Sequence, residues 1–69
     1  MNLQEFGLMI NNLNHKSDYI RVGQHLFNYL AMFFPTIGES YRGQELDPFY
    51  DDDNVLPFLQ DLLENHVSL

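Results

Sequence analysis

The sequence predicts an all-α fold. It is a small bundle of three main helices, at about 3–13, 18–34 and 54–66, with a short helix near 35–42 and an ordered Asp-Pro turn loop. Three observations carry this. Apolar residues recur at helical spacing along most of the chain, and no segment alternates as a half-buried strand does. Helix-starting and helix-ending residues stand at the edges of the periodic runs. Six Phe, four Tyr and a hydrophobic content of 45% make a folding composition, not a disordered one.

The first helix is capped by Asn2, with Glu5 three positions on as in a capping box. Leu3, Phe6, Ile10 and Leu13 form its expected apolar stripe, and the run Asn-Asn-Leu-Asn-His-Lys-Ser from Asn11 breaks it. Asn and Ser side chains compete for backbone hydrogen bonds and favour turns. The second helix is expected to start behind a Ser17 or Asp18 cap and to end at Pro35. At 100° per residue its apolar side chains, from Tyr19 and Ile20 to Phe33 and Phe34, cover about half the circumference. Such a face touches neighbours on two sides and belongs at the centre of the core. Arg21, Gln24, His25 and Asn28 gather on its opposite side.

Pro35 suits the first turn of the short third helix, and Gly43 suits the left-handed position after its end. In the last helix Val55, Phe58, Leu59, Leu62 and Leu63 make the apolar face. Pro57 is compatible only with the first turn, which puts the cap at Asp53 or Asn54. Between these helices lies Asp47-Pro48-Phe49-Tyr50. Asp followed by Pro starts a type I turn, and such a turn brings Phe49 or Tyr50 inward. The expected anchor is a structural tether from the second helix: Arg21 paired with Asp47, Gln24 on the same face, and Asn28 bonded to loop backbone. A guanidinium holds a carboxylate with two hydrogen bonds.

At 69 residues the chain makes a single helical domain, 1–69, with no repeat and no linker. A domain this size buries only about 60% of its unfolded surface, so a disulfide, a metal or a partner commonly adds stability. With no cysteine there is no disulfide. A partner protein or a second copy of the chain is expected instead.

Charge sharpens the expectation. In residues 1–38, Glu5 and Asp18 balance Lys16 and Arg21. In residues 39–69, eight acids stand against Arg42 alone, so the whole net charge of −7 lies there. Binding DNA or RNA requires cationic side chains to displace counterions, so direct nucleic-acid contact is not expected. Anionic membrane surfaces are disfavoured for the same reason. The chain has no basic, apolar leader at its start and no apolar run near the roughly 20 residues that span a bilayer, which predicts a cytoplasmic protein. An acidic half attracts basic proteins and speeds encounter with them. Glu45, Asp51, Asp52, Asp53, Asp61 and Glu64 are the candidate partner-binding acids.

Motifs for chemistry are missing. An EF-hand loop begun at Asp51 meets Val55 where an oxygen ligand is required, and one begun at Asp47 meets Phe49. His15, His25 and His66 lie in separate segments without a ligand at i+4, so no metal or other cofactor is predicted. No Cys nucleophile, Gly-rich phosphate loop or G-x-S-x-G elbow occurs, and the expected function is not enzymatic. Asp47-Pro48-Phe49 and Leu59-Gln60-Asp61-Leu62-Leu63 match short adaptor and LxxLL peptide motifs. As a turn and a core-facing helix both read more simply.

The pattern Arg21-x-Gly23-Gln24 with Asn28, then Pro35, Arg42-Gly43 and Asp47-Pro48-Phe49-Tyr50, resembles a family of short uncharacterised proteins from bacteria and their phages. The resemblance spans about two thirds of the chain and omits the first helix. It implies a bacterial or phage origin, with the bacterial cytoplasm as location, and transfers no activity. The leading expectation is therefore a small acidic interaction protein that binds a host or phage protein, or itself, through its apolar helical surface and its acidic C-terminal half. The alternative is an acidic decoy whose carboxylates imitate nucleic-acid phosphates and inhibit a DNA- or RNA-binding host protein.

Overall fold

The computed structural model describes residues 1–69 and is all-α. Helix α1 spans Leu3–Asn11, α2 Val22–Phe33, α3 Pro35–Tyr41 and α4 Val55–His66. Short 3-10 turns occupy Asn12–His15 and Asp52–Asn54. The only bridge outside the helices pairs Asn2 with Ser68.

Local chemistry sets most of the helix ends. The Asn2 side chain accepts from the Glu5 N–H at 2.7 Å while Glu5 accepts from the Asn2 N–H at 2.8 Å, a complete capping box. Pro35 opens α3, and Gly43 follows it at φ +70°, a conformation that favours glycine. Pro57 falls in the first turn of α4, where its missing N–H has no helical partner to lose. At the other end of α4, the Met1 ammonium donates to the His66 carbonyl at 3.0 Å. A cation there complements the negative end of the helix dipole.

The core joins all four helices. Met9 of α1, Leu26 and Leu30 of α2, and Phe58 and Leu62 of α4 are fully buried, with Phe27 and Tyr41 nearly so. Full burial of such side chains stabilises by about 1.5–3 kcal/mol each. The Cα radius of gyration, 11.0 Å, is about that of a folded monomer of this length.

Three expectations are corrected. The second helix begins at Val22, not near 18, and neither Ser17 nor Asp18 caps it. The Ser17 hydroxyl instead accepts from the nearby Tyr19 N–H at 3.2 Å, and Lys16 Nζ donates to the carbonyls of Ser17 and Ile20. These bonds close a local turn and leave Tyr19 on the surface. In the α1 stripe, Phe6, Ile10 and Leu13 pack against the core as expected, but the helix's most buried member is Met9, and Leu3 is about half exposed. The first helix also ends at Asn11, and a tighter 3-10 turn carries Leu13.

Candidate interaction surfaces

The Asp-Pro loop docks on the start of α2. The Asp52 carboxylate accepts from the Gly23 N–H at 3.0 Å, so a residue 29 positions away caps this helix. The side chain of the N-cap residue itself, Arg21, makes no cap bond. Arg21 Nη2 donates to the Phe49 carbonyl, and its Nε stands 3.9 Å from Asp52 Oδ1. The expected Arg21–Asp47 pair is not formed. Asp47 is occupied within its own loop, where it accepts from the Gly43 N–H at 2.7 Å and the Phe49 N–H at 2.9 Å.

The rest of the tether differs too. No hydrogen bond holds the Gln24 or Asn28 side chain, and Asn28 is exposed. Asn54 does the work expected of Asn28: its amide donates to the carbonyls of Asp47 and Glu45 at 3.0 and 3.3 Å. The turn is closed by the Asp47 side chain and by an Asp51 N–H to Pro48 carbonyl bond of 3.3 Å. Its aromatics separate. Phe49 packs edge-on against Phe27 with ring centroids 5.7 Å apart, whereas Tyr50 meets Phe49 edge-on from the solvent side and is exposed.

Gly23 explains the closeness of the docking. A Cβ at this position would collide with the Pro48 carbonyl oxygen and lie 3.0 Å from Asp52 Oδ1. Arg21, Gly23, Pro48 and Phe49, scattered through the sequence pattern, thus meet in one structural clasp.

The predicted partner-binding acids have unequal duties. Asp51 accepts from the Asp53 N–H at 2.9 Å and caps the 3-10 turn, and Asp52 caps α2. Asp61 accepts from the Tyr41 hydroxyl at 2.6 Å and from the Asn65 amide at 3.0 Å. Burial, the bond to Asp61 and its negative charge, in that order, push the Tyr41 hydroxyl well above the usual tyrosine range. Glu64 is in weak reach of Gln60 at 3.4 Å. Glu45 and Asp53 are exposed carboxylates without such bonds.

No three His, Asp or Glu side chains are grouped to hold a metal ion. No helix is long and apolar enough to cross a membrane.

A second surface lies on the apolar helical face that the sequence offers for a partner or a second copy, although no residue of it is marked there as a site. Leu8, Met32 and Phe33 are 54%, 74% and 58% exposed, and they border two adjoining hollows between α1 and α2. The larger, about 430 Å³, is lined by Asn12, His25, Asn28 and Tyr29 together with Met32 and Phe33. His25 is fixed there by a 2.8 Å bond between its Nε2 and Asn12 Oδ1. From Leu3 to His15 and throughout α2, the only formally charged side chain is Glu5. The breadth of the apolar face of α2 was readable in its sequence. The signal missed was Leu8 and Met32, which lie off the buried stripes of their helices.

No family model, curated protein or solved structure matches this chain.

Proposed function

We propose that this is a small non-enzymatic interaction protein of bacterial or phage origin, acting by binding another protein chain. The observation that carries the reading is the segregation of its charge. An apolar, nearly uncharged face on α1 and α2 accompanies a C-terminal half that carries the whole net charge. Exposed apolar side chains gathered around a hollow are a common form of protein-binding surface. The acidic half supplies long-range attraction for a basic partner. The decoy reading has less support, because Asp47, Asp51, Asp52 and Asp61 accept hydrogen bonds within the chain.

The test is affinity capture from bacterial and phage-infected lysates with the wild-type chain, Met32→Glu, and a Glu45→Gln/Asp53→Asn double variant. All three are first shown to be folded by circular dichroism. A protein retained saturably by the wild type and lost from at least one variant supports the reading. Identical capture by all three, or no saturable capture, overturns it.

A further inference from the structure

We infer that the apolar face of α1 and α2 docks a second copy of this chain about a two-fold axis, with Asn28 at or beside the axis. This rests on the interaction-protein reading above and names the occupant of one surface. The argument begins with charge. Two copies that each carry −7 repel, and the repulsion is greatest where their acidic halves approach. The α1–α2 face, whose only formal charge is Glu5, is where they can meet at least electrostatic cost. That same near-neutrality leaves a basic partner only Glu5 to pair with there, and Glu5 already accepts from the Asn2 N–H.

Shape points the same way. A two-fold interface places one patch against itself, so the patch must contain both a projection and a recess. Met32 and Phe33 project from α2, and the hollow of about 430 Å³ that they border provides the recess. Leu8 extends the apolar area on the α1 side. Asn28 lines the hollow, is exposed and has no hydrogen bond within the chain. A carboxamide carries a donor and an acceptor side by side, so two of them across a two-fold axis can exchange a pair of hydrogen bonds.

Two chains of charge −7 associate against their mutual repulsion, so a reversible monomer–dimer equilibrium is expected. Salt gives the sign of the effect: screening the like charges tightens self-association, whereas binding through the acidic half weakens.

The experiment is sedimentation equilibrium of the full chain over a concentration series, at low and at 0.5 M salt. The expected result is a monomer of 8.2 kDa in equilibrium with a dimer that gains population with salt. Asn28→Asp and Asn28→Lys, each placing like charges across the axis, are expected to raise the dissociation constant at least tenfold with unchanged circular dichroism. Mixing the two variants is expected to restore dimers. A wild type that stays monomeric at several hundred micromolar overturns the inference. So does a dimer indifferent to both variants, or one that mixing fails to restore. A monomer that still loses a captured partner on Met32→Glu overturns this inference alone and leaves the interaction-protein reading standing.

Discussion

The carbonyl oxygen of Pro48 occupies the space that a side chain on Gly23 would need. The contact joins the Asp-Pro loop to the first turn of α2, and the Gly23 N–H to Asp52 bond lies beside it. Gly23→Ala should therefore destabilise the protein despite alanine's better helix propensity. The obstacle is backbone, which cannot rotate aside, so the loss should lie at or above the upper end of the ~1–3 kcal/mol usual for overpacking. Urea unfolding measures it. A variant as stable as the wild type would mean that the loop does not sit so closely on α2.

Asp52 and Asp47 should differ in what they couple to. Removing the Asp52 cap as Asp52→Ala should cost about 0.5–2 kcal/mol, the range for a lost N-cap. Asp47→Ala removes the acceptor of two loop N–H groups and should cost a similar amount, about 1–2 kcal/mol. In double-mutant cycles with Arg21→Ala, however, only Asp52 should show coupling. Both partners of that pair are about half exposed, so a few tenths to 1 kcal/mol is expected. Coupling of Arg21 to Asp47 alone would restore the pairing read from the sequence.

These two carboxylates also show where sequence reading stops. Asn2 with Glu5, Pro35, Gly43 and Pro57 act on residues within about one helical turn of themselves, so their roles follow from spacing. The bundle of helices followed from the same local periods. The cap of α2 comes from Asp52, 29 residues away, and nothing near Val22 signals it. Ser17 and Asp18 looked better placed, but Ser17 bonds the next turn of its own segment. The apolar breadth of α2 was legible, whereas the direction in which it is left uncovered depends on how α1 and α4 pack against it. That the loop is anchored follows from its aromatics, but which groups anchor it does not, because several carboxylates and amides compete for the same few backbone groups.

The sequence offers Asp53 or Asn54 as the cap of the last helix; Asn54 holds that position, but its side chain serves the loop. Its amide bridges the Glu45 and Asp47 carbonyls, while no side-chain cap bond is made to α4. Asn54→Ala should lower stability by about 1–2 kcal/mol, since two loop carbonyls lose a donor. Amide hydrogen exchange gives the sharper readout. The Phe49 and Gly43 N–H groups, held by Asp47, should lose protection before the amides of α4 do. Selective loss in the first turn of α4 would assign Asn54 to capping instead.

Tyr41 and Asp61 form a long-range polar contact between α3 and α4. The hydroxyl donates at 2.6 Å, and the ring stacks edge-on against Phe58 and His66. Because folding raises the pKa of this hydroxyl, the folded state holds the proton above pH ~10, where an unfolded tyrosine loses it. The contribution to stability is thus complete below about pH 10 and declines as pH rises toward the folded pKa. Tyr41→Phe should cost about 1–2 kcal/mol at neutral pH through the lost charge-assisted bond, with Asn65 still serving Asp61. It should also flatten the alkaline fall in stability. Chemical unfolding at pH 7 and above pH 10, with phenolate absorbance to follow ionisation, checks both. An alkaline fall as steep in Tyr41→Phe as in the wild type would remove Tyr41 as its source.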